Sequence, residues 1–165
     1  MTTEQAPAAN PAISARLMLA TYLLGGLGIG IAMYTLQWDP PSLSLGCLLA
    51  VGGTGLLSFV RHAVFNRSDA ARMGWDYGKR NNFQIEVGLA NLAWGTVAVL
   101  AVVLGWGLAV EASLFLVFAV YMLSVLVLNL ISTREEGRRA VGPLLAAAAF
   151  GMMLLVVGIW GVLAA

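Results

Sequence analysis

The sequence predicts an all-α, polytopic integral membrane protein built as a compact bundle of five transmembrane helices. Three observations carry that prediction. The 165 residues are 60% hydrophobic and only 10% charged, with a mean hydropathy of +0.87, and a soluble domain of this length needs a far more polar surface. Five apolar stretches are each long enough to cross a hydrocarbon core of about 30 Å, which takes roughly 20 helical residues. Every lysine and arginine falls at one end of the resulting up-and-down arrangement.

Taken in order, residues 1–12 open with "MTTEQAPAAN", which is small, polar and proline-containing and reads as a disordered cytoplasmic tail. Residues 13–165 then form a single transmembrane domain. The first span runs from about Leu17 to Leu36. Its apolar run exceeds a signal peptide's, and no A-x-A site precedes "QWDPPS", so it reads as a retained anchor. The second span runs from Leu43 to about Val64 and the third from Phe83 to Trp106. The fourth covers Val110 to Ile131 and the fifth Val141 to Leu163.

Only the connection from Phe65 to Asn82 is long. Within it, Ser68 suits an N-cap and Asp69 a first turn, predicting a short surface helix from Ser68 to about Met73 that stops at Gly74. With Trp75 and Tyr77 it would lie in the head-group region, either as a lid or as a surface-hugging loop. The "STREEGRRA" run reads as a solvated, self-pairing loop.

Basic residues orient the chain. Arg16, Arg61, Arg67, Arg72, Lys79, Arg80, Arg134, Arg138 and Arg139 share one side, while "QWDPPS" and "GWGLAVEAS" carry none. The positive-inside rule then makes the N-terminus cytoplasmic and the C-terminus external, in a bacterial inner membrane. Trp38, Trp106 and Trp160 end their helices on the outer side, as an aromatic belt does.

A net charge of +1 and the lack of a basic, aromatic-interleaved stripe speak against nucleic-acid binding. The lone cysteine, Cys47, excludes an intrachain disulfide and a thiolate metal cluster, and reads as a small buried packing residue. Glycines recur through the spans, with Gly26 and Gly30 in G-x-x-x-G spacing. They suit close helix contact within the bundle, or against another copy or a larger membrane complex.

The polar residues of the spans collect at one depth. His62 and Asn66 end the second span, Gln84, Glu86 and Asn91 lie in the inner half of the third, and Asn129, Ser132 and Thr133 close the fourth. Gln84, Gly88, Asn91 and Gly95 are spaced i, i+4, i+7 and i+11 and therefore share one stripe. Glu86 lies about 160–200° away from Gln84 at 100° per residue. It therefore faces another neighbour or the interface, where it would complement the helix dipole or pair with a cytoplasmic cation. Buried, it would instead be a candidate ion or proton site. His62 reads either as an interfacial histidine or as one haem ligand. No second histidine exists to complete a bis-histidine site, and His62 with Glu86 supplies too few ligands for a metal.

The stretch "GW" followed by "FQIEVGLANLAWG" resembles an uncharacterised family of small bacterial integral membrane proteins. Its pattern places Gly74 and Trp75 ahead of Phe83, Gln84, Glu86, Val87, Gly88, Ala90, Asn91, Leu92 and Gly95, and "FVRHAVFN" resembles its histidine-bearing helix end at His62. The resemblance spans the second and third helices and implies the same architecture. Two positions depart from it. Asn82 replaces a proline, and Asn129 stands where relatives carry a second histidine, so a two-histidine site is incomplete here. The family transfers no reaction.

No nucleophile elbow, P-loop or dinucleotide fingerprint is present, so no enzyme is signalled and no cofactor is named. The leading expectation is a cytoplasm-facing polar pocket, bounded by His62, Gln84, Asn91 and Asn129 with Glu86 nearby. It would bind a small polar solute, an ion or a lipid head group, for capture or for transport across the bilayer. An accessory subunit packed by its glycine faces, and a redox or lipid-modifying membrane enzyme, are the alternatives.

Overall fold

A computed structural model describes residues 9–136 and 141–165, and every regular element among them is a helix. Of the expected tail at 1–12, residues 1–8 lie outside the described residues and Pro11 and Ala12 are already helical, and the expected pairing of side chains within 133–140 also lies outside them. Five helices are long and apolar enough to cross a membrane, and the chain is a multi-pass helical membrane protein. Leu19, Leu23 and Leu27 on the first helix, and Val127, Leu128 and Ile131 on the fourth span, lie on the outside of the bundle, where hydrocarbon suits them.

Helix α1 (Pro11–Thr35) starts before its apolar run does. The Asn10 side chain accepts from the Ala12 N–H at 3.1 Å, and Pro11 takes a first-turn position whose N–H would lack an intrahelical partner anyway. At its far end the Thr35 hydroxyl donates to the Ser42 carbonyl at 2.6 Å and closes the first turn.

Helix α2 (Ser44–Val64) is one span with two wide-turn stretches, Leu48–Gly53 and Val60–Val64, where bonds run i to i+5. The second stretch ends as the Phe65 N–H donates to the Val60 carbonyl at 3.0 Å. At Phe65 (φ −98°, ψ 34°) the chain bends into a short helix, α3 (Asn66–Arg72).

Here the expected cap is corrected. The helix begins two residues earlier, at Asn66, with no side-chain cap, because it continues almost directly from α2. Ser68 is buried and instead accepts the Asn10 N–H at 3.0 Å, tying α3 to the start of α1.

Helix α4 (Asn82–Val103) is capped by Asn81, whose side chain accepts from the Gln84 N–H at 3.1 Å. Asn66 holds that cap in place: its Oδ1 accepts the Asn81 N–H at 3.1 Å while its Nδ2 donates to the Ala63 carbonyl at 3.0 Å. Helices α5 (Leu108–Glu136) and α6 (Val141–Leu163) complete the bundle.

Two groups of helices result. Helices α1, α2 and α4 meet through small residues. A Cβ on Gly28 would fall 2.4 Å from the Ala50 nitrogen, one on Gly46 would fall 2.5 Å from the Ala32 Cβ, and one on Gly55 would fall 2.8 Å from the Gly95 Cα. Such contacts are the van der Waals gain that replaces the hydrophobic effect between helices in lipid. The G-x-x-x-G pair itself does not take part: Gly26 and Gly30 are exposed, with nothing within 4 Å of either added Cβ. Helices α5 and α6 form the second group, with Gly151 against Leu123 and Gly158 against Leu116.

The two groups meet over a core containing Ile29, Val51, Phe115 and Leu154. Cys47 lies in that core, fully buried, as its apolar setting suggests. Nearer the α3 end, an aromatic cluster joins them. Trp94 stacks obliquely on Tyr121 at 4.7 Å between centroids, and Phe150 meets both Tyr22 and Phe118 edge-on.

Candidate functional site

The stripe read from the spacing in α4 is the buried face of that helix: Gln84, Gly88, Asn91 and Gly95 are all buried, followed by Ala98 and Ala101. Its glycines and its amides do different things. Gly88 and Gly95 let α2 approach, against Ala63 and Gly55. Gln84 and Asn91, 1% and 2% exposed, border a cavity of about 440 Å³ between the two helix groups.

One wall of the cavity is polar and the rest is largely apolar, with Thr21, Tyr121 and Asn129 among its polar exceptions. The polar wall comes from the end of α2 and the start of α4, with Arg61, His62, Gln84 and Asn91, and from Arg72 of α3. The apolar walls include Met18, Met73, Phe118, Met122 and Phe150, and Phe83 and Leu128 stand at the exposed rim. Asn91 donates to the Val87 carbonyl at 2.7 Å, within its own helix, and lies close enough to the Tyr121 hydroxyl to interact with it.

Behind the polar wall lies Asp69, whose side chain is fully buried. It accepts from the Ser14 hydroxyl of α1 and from Arg72 at 3.2 Å, and its Oδ2 stands 2.8 Å from His62 Nδ1. Burial by itself would push the Asp69 pKa up. The contacts from His62 and Ser14, together with the charge of Arg61, outweigh it and hold the carboxyl well below the usual range.

His62 Nδ1 is also 2.7 Å from Gln84 Oε1, and one N–H cannot point well at two acceptors. It is aligned with Gln84, which leaves Asp69 Oδ2 beside the ring at 2.8 Å but without an aligned donor. Both Nδ1 neighbours are acceptors, and the Arg61 guanidinium donates toward Nε2 at 2.6 Å. This pattern fits the Nδ1–H tautomer. Outside this cluster, the hydrogen bond from Arg67 holds the Asp76 carboxyl below its usual pKa, at 3.2 Å in the connecting loop.

Four of the five residues singled out in the sequence border the cavity: His62, Gln84, Asn91 and, at the exposed rim, Asn129. Glu86 does not. It is exposed on the opposite side of α4, as its angular separation from Gln84 requires. It lies outside the first turn and makes no ion pair among the described residues.

Sequence reasoning missed Asp69 as the centre of the network, and with it Ser14 and Arg72. The spacing of Asp69 and Arg72 at i, i+3 was legible. The wide turn that swings His62 toward Asp69 has no sequence signature. Among the described residues no cluster of three metal-ligating side chains occurs.

The fold and the cavity together define a multi-pass helical membrane protein with a polar recess between two packed helix groups. No curated protein and no solved structure matches the chain. Residues 17–165 match the family of unknown function DUF6790, and the chain belongs to that family.

Proposed function

We propose that this chain is a binding module of a bacterial inner membrane, with the N-terminus cytoplasmic, the C-terminus external and the cavity opening near the cytoplasmic surface. The recess takes a small polar solute, an ion or a lipid head group, for capture or for transport. One observation carries the reading. Buried amides of α4 and partly buried guanidinium groups of α2 and α3 converge on one cavity, and keeping such groups in a membrane is costly unless they meet a partner. The one-sided arginines and lysines support the orientation.

A thermal-unfolding screen of the purified protein against salts, polar solutes and short-chain lipids tests the reading. At least one compound is expected to raise the wild-type Tm in a saturable manner. Asn91→Leu and Gln84→Leu should abolish that rise, and Glu86→Gln should leave it intact. A rise that survives both cavity substitutions, or no rise with any compound, sinks the reading.

A further inference from the structure

The cavity wall holds more donors than its own acceptors satisfy. Gln84 Nε2 and Arg61 Nε are buried and without a hydrogen-bond partner, although Gln84 is only 1% exposed. Arg61 Nε is 3.8 Å from Asp69 Oδ1, too far for a hydrogen bond.

The charges are unbalanced in the same direction. Arg61 and Arg72 both border the cavity, and among the described residues Asp69 is the carboxylate paired with either. Guanidinium groups stay protonated, so among the described residues one positive charge at the recess has no carboxylate of its own. Asp69 is not itself a lining residue, so no carboxylate lines the cavity among the described residues.

The remaining surface is largely apolar, apart from Thr21, Ser58, Tyr121 and Asn129, and the rim residues Phe83 and Leu128 are 58% exposed on flanks that read as lipid-facing. A small hydrophilic anion would satisfy the donors and leave Met18, Phe118, Met122 and Phe150 uncovered.

We infer that the ligand is an anionic amphiphile, with a carboxylate or phosphate head on Arg61 and Gln84 Nε2 and an apolar chain between the two helix groups. This rests on the binding reading above and names the chemistry of its ligand. An ionised head accepts charge-assisted hydrogen bonds, about twice as strong as neutral ones, from groups that are otherwise orphaned. The chain replaces cavity surface that has little protein to pack against.

The test uses the full chain in a neutral detergent with four probes: laurate, dodecanol, dodecyltrimethylammonium and acetate. Affinity is read by isothermal calorimetry and by the shift in Tm. Laurate is expected to bind at least about tenfold tighter than dodecanol, the ratio that one charge-assisted contact supplies, and tighter still than the cation or acetate.

Gln84→Glu keeps the acceptor for His62 but places a carboxylate where the free amide stood. It should remove the preference for laurate, and Arg61→Gln should weaken laurate about tenfold while leaving dodecanol unchanged. Should Arg61→Gln fail to fold, the comparison of probes on the wild type and on Gln84→Glu still decides.

Equal binding of laurate and dodecanol, or tighter binding of the cation, overturns the anionic head while leaving a binding cavity. Acetate binding as tightly as laurate overturns the apolar chain. Binding of none of the four overturns this inference, and the binding reading falls separately only if the broader screen is also silent.

Discussion

At the scale of single residues, Asp69 is where the chain's polar chemistry is concentrated. It draws a serine from α1, a histidine from the end of α2 and an arginine from its own short helix onto one buried carboxylate. Removing it would leave guanidinium groups without their counter-charge, and breaking a buried pair in this way costs about 3–5 kcal/mol. Asp69→Asn is therefore expected to lower the Tm markedly at neutral pH.

The pH dependence has a definite sign. The folded pKa of Asp69 lies below the unfolded value of about 3.9. Its contribution is thus complete above that value and is lost as pH falls through the folded pKa. Wild-type Tm should drop from about pH 4 downward in a melting series, and the drop should be smaller in Asp69→Asn. Parallel curves for the two proteins would deny Asp69 this role.

The α4 stripe and its partition into glycines and amides were legible from spacing alone, as was the separation of Glu86 from it. Asp69 was not, because its partners come from three elements, and nothing local in "NRSDAAR" says that the preceding helix will bend back upon it.

At the scale of elements, the wide turns of α2 and the glycine contact between α2 and α4 set the position of the polar wall. Gly55 sits against Gly95 and within 2.9 Å of the Asn91 carbonyl, measured from the Cβ it lacks, and each neighbour is backbone that cannot rotate aside. Gly55→Val should separate the two helices, costing about 1–3 kcal/mol as an overpacked core does. It should also weaken ligand binding, since Gln84 and Asn91 ride on the displaced helix. Gly26→Val, with nothing within 4 Å, is the matched control and should leave Tm and binding unchanged. Equal Tm losses in the two variants would refute the assignment of the contact. Glycine content alone could not tell these positions apart, because a stripe of small residues gives the potential for close approach and only the tertiary arrangement says which stripe is used.

At the scale of the whole molecule, the five spans and their limits followed from hydropathy, and the differences fall at the ends. Helix α1 starts earlier than its apolar run because a capping asparagine and a proline extend it into the polar segment. The proposed orientation makes a sharp prediction. In a Cys47→Ala background, Gln37→Cys should react with a membrane-impermeant maleimide applied outside intact cells, and Lys79→Cys should react only after permeabilisation. The reverse pattern would invert the protein in the membrane and turn the cavity to the other compartment.

The turn between α4 and α5 has a mechanical consequence. At residues 104–107 the chain reverses through Gly105 and Gly107, at φ +63° and +91°, which side-chain-bearing residues rarely adopt. This turn is at the far end of the bundle from the cavity. A helical hairpin tethered at one end travels least beside its pivot and farthest at its free end. Phe83 and Leu128 stand at the ends of α4 and α5 away from this turn, so the angle it sets between the two helices acts with its longest lever on those rim residues. The spacing of the rim is thus set in part by a turn about 30 Å away, the length of a 20-residue helix.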